Sequence, residues 1–280
     1  MRTKVSAVII THNEAINLKY TLRQLHWCDE IIIVDSYSTD DTIAICKAHG
    51  CKIFYRMFNG YGEQKHFAIE QASNDWVLCI DADEYLTQAL VDELREELND
   101  TGDNQGYMVP MNLVFLGREF KYGKESHRYF LRLFNKKRCH QGMEKVHENF
   151  KVLGPVKKVR NLIRHYSYRG VDQYLIKLER YSTLGAETNI ESGKKRPQAL
   201  VYISIPYYFI RYYLMDGNIL NGKEGFYWSM LSSFYHFIKY LKMQDIMQGR
   251  YVPENNTKVS LTVADTSETS VHIRLAKHGS

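Results

Sequence analysis

The feature that most constrains the fold is an apolar run at residues 77–80, which ends in three acids within four residues, D-A-D-E. Four consecutive apolar side chains bounded by polar ones are typical of a strand buried on both faces in the middle of a parallel sheet. Such a strand delivers its last residues to the crevice where open α/β folds bind ligands. Asp81 and Asp83, separated by the small Ala82, offer hard oxygen ligands for Mg²⁺ or Mn²⁺, and the ion would hold a diphosphate. Alternatively, the acids only favour a helix that begins near Thr87.

Strand and helix patterns alternate along the first third of the chain. Apolar, β-branched runs at residues 5–10 and 30–34 and a shorter one at 52–55 predict strands, with helical patterns between them. This alternation predicts a parallel sheet with helices on both faces. The polar strand ends at 11–14 and 35–38 and the loop that carries Lys65 are then expected at the same crevice as the acids.

The charge distribution narrows the class of partner. The chain has 280 residues and a net charge of +5. Basic residues concentrate between residues 118 and 211 and acids between 81 and 103, which favours an anionic substrate or a membrane surface over nucleic acid. The five cysteines are odd in number and show no C-x-x-C spacing, so we expect reduced core thiols. No secretory signal precedes the first strand, and we expect a cytoplasmic location.

Four motifs over residues 4–100 carry a family resemblance. They are T-x-N-E and D-S-x-S-x-D at two strand ends, a glycine-containing loop with a basic residue, and D-x-D. In this order they resemble family 2 glycosyltransferases of the GT-A fold. The resemblance implies that Asp35 hydrogen-bonds uracil and that D-x-D holds the metal that bridges the diphosphate. The remaining nucleotide contacts that it implies are Thr11, Asn13, Glu14, Ser36 and Lys65.

Two of these assignments have simpler alternatives, and a third departs from the family's pattern. Lys65 stands in Gln64-Lys65-His66, where many family members have A-R-N, and it contacts the diphosphate or the base on this interpretation. Asp35 could be only a helix N-cap, and Glu14 could be the acid of a capping box, since Thr11 precedes it by three residues.

A second chemical focus lies at residues 142–148, G-M-E-K-V-H-E. Inverting sugar transfer needs a carboxylate opposite the leaving diphosphate to accept the acceptor hydroxyl's proton, and Glu148 is the candidate base. His147 is the candidate third metal ligand or a diphosphate contact. V-H-E after an R-L-F strand resembles the bacterial lipopolysaccharide-core glucosyltransferases of family 2, and the choice among Glu144, His147 and Glu148 stays open. His140, His147 and His165 could each be ordinary polar loop residues.

Four arginines show strand-like spacing. Arg128 and Arg132, and likewise Arg160 and Arg164, are four residues apart, so each pair would share one face of a strand. A basic face of this kind could hold a diphosphate or a phosphorylated acceptor, or it could simply be solvated.

The last third predicts helices rich in aromatic residues. The apolar run at 198–211 is too short to span a bilayer and contains Pro206, and a second aromatic helix at 226–242 ends in lysines. Tyrosine, tryptophan and basic residues together favour a membrane interface. Alternatively, the helices at 197–243 pack on the catalytic domain or form a dimer interface. The motif R-Y-Y-x-x-D-G extends the resemblance to about residue 243.

Together these patterns predict an α/β chain of GT-A type with a helical, aromatic-rich extension. We expect a catalytic domain at 1–168, divided at 104/105 into a nucleotide half and an acceptor half, a helical extension at 169–250 and a polar tail at 251–280 with a short strand at 259–263.

The predicted activity is inverting, metal-dependent sugar transfer. The donor would be a UDP-sugar, UDP-glucose first, and the acceptor a lipid-linked saccharide at the inner membrane face, as in lipopolysaccharide biosynthesis. One rival is a nucleotidyltransferase, whose first loop is usually rich in glycine and basic residues, unlike T-H-N-E. The other is a non-catalytic sugar-nucleotide or membrane-scaffold module.

Overall fold

The computed structural model describes residues 3–141, 150–168, 170–193 and 199–250. The strands in these residues are β1 (Val5–Thr11), β2 (Glu30–Asp35), β3 (Lys52–Tyr55), β4 (Trp76–Cys79), β5 (Glu84–Leu86), β6 (Gly106–Phe115), β7 (Arg118–Glu119), β8 (Arg128–Asn135), β9 (Cys139–Gln141), β10 (Phe150–Val152), β11 (Val156–Lys158) and β12 (Ile163–Tyr168). The helices are α1 (Ala15–Thr21), α2 (Thr42–Ala48), α3 (Tyr61–Glu70), α4 (Gln88–Glu97), α5 (Val171–Glu191), α6 (Ala199–Ile210) and α7 (Lys223–Met247).

One ten-stranded sheet organises the described residues. Its order is β3-β2-β1-β4-β8-β6-β12-β5, with β7 and β11 paired to β6, while β9 and β10 form a separate pair. The strands β3, β2, β1 and β4 are parallel, whereas β8 runs antiparallel to both β4 and β6. The predicted fold class, an α/β sheet with flanking helices and a helical extension, is confirmed.

The alternation of side chains along β1 explains how the helices attach. Val5, Ala7 and Ile9 pack in a core with α1, α2 and α4, while Val8 packs with α3 on the opposite face of the sheet. Both faces of the strand are therefore buried, as its continuous apolar pattern requires.

Strand β4 is central, and all four of its residues are buried. It pairs in parallel with β1, but its other neighbour, β8, is antiparallel, so the prediction of a parallel strand on both sides is wrong. The acids after β4 do not lead directly into a helix either. Glu84 begins the three-residue strand β5, which pairs with β12, and α4 follows with Thr87 as its N-cap.

The extension packs on the sheet through aromatic side chains. Phe115 and Phe120, from the region of β6 and β7, contact Tyr174 of α5 and Trp228 of α7 in one buried cluster. Helix α6 contains Pro206 and continues into a π-helical turn at Arg211–Met215. The predicted tail at 251–280 lies outside the described residues.

Candidate active site

The first two strand ends are joined through Asp35, the last residue of β2. Its carboxylate is fully buried and accepts hydrogen bonds from Thr11 Oγ1 at 2.9 Å and from Ser38 N and Oγ at 2.7 and 2.5 Å. The N-cap of α2 is Asp41, so the helix-cap interpretation of Asp35 is wrong. The carboxylate instead fixes the turn that follows β2.

Asn13 and Ser36 extend this connection. Asn13 has a positive φ of 56°, donates its backbone N–H to Ser38 Oγ and accepts at Oδ1 from Thr39 N, both at 2.8 Å. Ser36 Oγ accepts from Gln64 Nε2 of α3 at 3.0 Å. Two predicted nucleotide loops and the start of α3 therefore form one hydrogen-bonded wall.

Glu14 occupies the N-cap position of α1 and makes no capping hydrogen bond with its side chain. A capping box would need Thr11 at that position, so the capping-box interpretation is wrong. Glu14 Oε2 instead accepts from Asn17 Nδ2 at 2.5 Å.

Two exposed tyrosines beside this wall were not predicted. Tyr37 and Tyr55 are each about half exposed, and their rings stack with centroids 5.9 Å apart and an angle of 26°. Tyr37 has a φ of 60°, which is uncommon for a bulky residue and occurs mainly where the surrounding structure requires it. The aromatic residue within the D-S-Y-S motif is the sequence signal from which this exposed ring could have been predicted.

Two of the three acids that follow β4, Asp81 and Glu84, form ion pairs with two buried cations. Lys65 is 2% exposed and its Nζ lies 2.8 Å from Asp81 Oδ1. Arg132 Nη2 lies 2.5 Å from Oε1 of the fully buried Glu84 and 3.6 Å from Asp81 Oδ2. Burial would raise the pKa of Asp81, but the charges of Lys65 and Arg132 outweigh it and hold that pKa below its usual range.

The positions of the four arginines contradict the predicted basic face of the sheet. Arg132 is buried on β8, whereas Arg128 on the same strand is exposed. Arg160 precedes β12, and Arg164 on that strand pairs with Glu119 at 2.7 Å. The predicted pairs of arginines therefore do not form one anion-binding face.

His165 is the nearest partner of Asp83. It lies on β12 opposite Glu84, and its Nε2 is 3.3 Å from Asp83 Oδ1. Burial lowers the pKa of His165, but the carboxylates of Asp83, Glu84 and Asp81 outweigh that effect and raise it. The interpretation of His165 as an ordinary loop residue is wrong, because pairing between β5 and β12 brings it to the acids.

The side chains of the acid cluster provide part of the coordination that a divalent metal needs. Within the described ranges, no three His, Cys, Asp or Glu side chains are grouped closely enough to hold an ion alone. Asp83 and His165 supply two suitable atoms, whereas the carboxylate of Asp81 pairs with Lys65 and Arg132. Mg²⁺ sites commonly use one or two carboxylates and complete their coordination with substrate phosphates and water. These residues fit a metal that is bound together with a diphosphate.

Of the remaining predicted site residues, Ala82 lies in the described part of the chain and the others lie outside it. Ala82 is buried, and its carbonyl accepts from Thr21 Oγ1 at 2.6 Å, which fixes the backbone between Asp81 and Asp83. The predicted base and third metal ligand, Glu148 and His147, and the alternative Glu144 lie outside the described residues.

The comparison with known families decides the class. The sequence profile described as "Glycosyl transferase family 2" matches residues 6–153, which include both predicted nucleotide loops and the acid cluster. The chain belongs to glycosyltransferase family 2. As a family 2 glycosyltransferase of GT-A type it is an enzyme, and the nucleotidyltransferase and scaffold alternatives are wrong.

The similarity of this family 2 chain to two relatives extends beyond the residues that the profile matches. The lipopolysaccharide core biosynthesis glycosyltransferase LpsC of Rhizobium meliloti is 33% identical over 246 residues, which cover 85% of this chain and 91% of the relative. An uncharacterised glycosyltransferase of Rickettsia typhi is 28% identical, with 87% of each chain covered. The predicted resemblance to lipopolysaccharide-core enzymes is confirmed.

Two solved structures match more loosely. Glucosyl-3-phosphoglycerate synthase of Mycobacterium tuberculosis, crystallised with Mn²⁺, UDP and glucosyl-3-phosphoglycerate, is 26% identical and covers 40% of this chain and 44% of that chain, with a TM-score of 0.34. S. aureus TarS 1–349 is 14% identical and covers 90% of this chain and 93% of that chain, with a TM-score of 0.43.

Proposed function

We propose that the enzyme transfers a hexose from a UDP-sugar, UDP-glucose first, with inversion to a lipid-linked saccharide of the bacterial envelope. The observation that carries the proposal is the pair formed by Asp83 and His165 in the acid cluster after β4. Strand β4 is the parallel neighbour of β1, and β1 of β2, so the cluster and the first two loops follow the same edge of the sheet. The likeness to LpsC supports a lipopolysaccharide-core acceptor.

The metal proposal assigns Mn²⁺ or Mg²⁺ to Asp83 and His165, with Asp81 adjoining. When bound, the ion neutralises the charge that develops on the departing diphosphate. Lys65 and Arg132 hold Asp81 and Glu84 in place, and Lys65 adds positive charge near the diphosphate. His147 as a further ligand and Glu148 as the base stay predictions, with Glu144 as the alternative base.

The nucleoside proposal assigns the base to the wall at Asn13, Ser36 and Tyr37. A carboxylate offers about four lone-pair positions, and three hydrogen bonds already reach Asp35. Its burial supports a role in positioning Thr11 and Ser38, and its direct contact with uracil stays a prediction. The exposed ring of Tyr37 offers a stacking surface for a base.

We expect the full chain to release UDP from UDP-glucose in the presence of Mn²⁺. A screen of UDP-glucose, UDP-galactose, UDP-GlcNAc and UDP-GalNAc, with UDP affinity measured by calorimetry, tests the donor. Chelation by EDTA should abolish turnover, and Mn²⁺ should restore it. If UDP does not bind and GDP- or dTDP-sugars are used instead, the uridine assignment is wrong.

The turn between α6 and α7 supports a peripheral membrane location. Leu214, Met215 and Leu220 are 54%, 77% and 60% exposed there, and Lys223 follows. Apolar side chains beside cations suit the interface of an anionic membrane. In the residues that the structure describes, no helix has both the length and the apolar character needed to cross a bilayer. The domain division and a homo-oligomer through 197–243 stay predictions.

We expect the double variant Met215→Ser, Leu220→Ser to bind vesicles of phosphatidylcholine and phosphatidylglycerol at least ~10-fold more weakly in a flotation assay, because it loses two exposed apolar side chains that would enter the membrane interface. The matched control is Ile16→Ser, Met57→Ser, which removes similarly exposed side chains from the N-terminal half. Equal binding of the double variant and the wild type would show that this turn does not insert.

A further inference from the structure

A cavity outside the acid cluster has no role in the function described so far. It measures about 610 Å³ and lies between the Lys124–Arg128 segment and helices α6 and α7. Sites that enclose small organic ligands commonly have volumes of a few hundred to about 1,000 Å³. The size of the cavity therefore suits a sugar with one substituent.

Three of the seven residues that line this cavity are cationic. Lys124, Arg128, Arg211 and the acid Glu125 all border it. Lys124 pairs with Asp216 at 2.8 Å and Arg128 with Glu125 at 3.5 Å. Arg211 is half-buried and makes no ion pair within the described part of the chain. A guanidinium removed from water without a counterion favours an anion, and phosphate fits its bidentate geometry.

The remaining lining suits a sugar. Tyr208, Tyr212 and His236 contribute rings, and His236 stacks on Tyr208 with centroids 3.5 Å apart. Burial, with Lys239 and Arg211, lowers the pKa of His236 to about 3, so this imidazole is neutral. Its Nε2 bonds Tyr212 Oη at 2.6 Å, while Nδ1 is buried without a partner among the described residues.

A second buried atom beside the cavity also lacks a partner. Asp216 is 8% exposed and uses Oδ1 for Lys124, while its Oδ2 has no hydrogen bond in the described residues. Buried polar atoms of this kind are normally satisfied, and leaving one without a partner costs about 1–3 kcal/mol. Sugar hydroxyls, which both donate and accept, are suitable partners for Asp216 and His236.

The wall of the cavity is fixed before any ligand binds. Asn221 is buried, accepts at Oδ1 from Lys121 N at 3.1 Å and donates from Nδ2 to Tyr122 O at 3.0 Å. Gly123 approaches so closely that a Cβ there would lie 2.7 Å from Asn218 Oδ1. These contacts join the segment before Lys124 to the α6–α7 turn, so little ordering is left for binding.

The cavity and the acid cluster are separated by several strands of the sheet. His165 on β12 lies opposite Glu84 on β5 and, on its other side, opposite Leu113 on β6. The backbone N–H of Leu113 in turn donates a hydrogen bond to the backbone oxygen of Glu125. Three strand spacings therefore separate Glu84 from Glu125, about 14 Å. An oligosaccharide spans this distance, whereas one sugar ring does not.

We infer that the cavity binds a phosphorylated sugar of an oligosaccharide acceptor, with the phosphate on Arg211, Lys124 and Arg128 and sugar hydroxyls on Asp216 and His236. This inference rests on the proposed function, because it takes the acid cluster as the site of transfer. The phosphate is then carried by a sugar other than the one that accepts the hexose.

The test is calorimetry on the full chain saturated with UDP and Mn²⁺, so that the nucleotide site cannot take up the probe. We expect glucose 6-phosphate to bind, and unphosphorylated glucose to bind at least ~10-fold more weakly. Arg211→Gln should weaken glucose 6-phosphate at least ~10-fold, because it removes one charge-assisted contact. The matched control Arg23→Gln, at an exposed arginine in the N-terminal half, should bind as the wild type does.

Each alternative outcome has a distinct meaning. No binding of glucose 6-phosphate, or equal binding by Arg211→Gln with an unchanged thermal melting temperature, overturns the inference. If Arg211→Gln does not fold, Arg128→Gln serves as the second variant with the same expected loss. Tighter binding of glycerol 3-phosphate, a soluble analogue of a lipid headgroup, than of glucose 6-phosphate assigns the cavity to a lipid headgroup and overturns the saccharide assignment. Failure of UDP to bind contradicts the proposed function instead.

Discussion

Asp83→Asn is expected to lower UDP-sugar turnover by at least about 10²-fold, because the amide removes the negative charge at which Asp83 and His165 would hold the metal. The loss should appear in the rate of UDP release at saturating donor. Raising the Mn²⁺ concentration should recover part of the activity, since weaker ion binding is one component of the defect.

Asp103→Asn is the matched control, because Asp103 is exposed and lies away from the cluster. It makes the same chemical change and should leave the rate of UDP release unchanged. If Asp83→Asn folds, binds UDP and retains wild-type turnover at the same Mn²⁺ concentration, then the metal is held elsewhere.

Arg132→Met is expected to lower the free energy of unfolding by about 3–5 kcal/mol, because it leaves the carboxylate of the fully buried Glu84 without the guanidinium 2.5 Å away. Burial already raises the pKa of Glu84, with Arg132 opposing that effect, so the variant should also take up a proton at Glu84 more readily. Urea unfolding followed by circular dichroism measures the stability loss.

Two further variants define the cause of that loss. Lys137→Met breaks an exposed ion pair of 2.8 Å with Asp75 and should cost less than about 1 kcal/mol. Adding Glu84→Leu to Arg132→Met removes the unpaired carboxylate and should recover much of the stability. If that double variant is no more stable than Arg132→Met alone, lost packing rather than an unpaired charge is responsible.

The strands of the first hundred residues could be predicted from the sequence because their signals are local. The strands near residues 5–10 and 30–34 are continuous apolar runs, and the polar residues that follow them lie where parallel strands end. The acids at 81 and 83 were placed correctly after β4 for the same reason. A buried parallel strand needs no knowledge of its partners to be recognised.

The partners of the acids could not be predicted, because they depend on distant pairing. Arg132 reaches Glu84 only because β8 lies antiparallel to β4, and His165 reaches Asp83 only because β12 pairs with β5. Three residues such as those of β5 are too few for a periodic pattern. The cavity at Arg211 depends on how the α6–α7 turn meets the segment near Gly123, which no local pattern marks.

The two ends of the main sheet have a consequence for self-association. Its outermost strands, β3 and β5, have only four and three residues in the described part of the chain. Short edges offer few unpaired backbone groups to an incoming strand, and the lysine that begins β3 adds a charge there. These two edges are therefore protected against strand addition and the aggregation that follows from it.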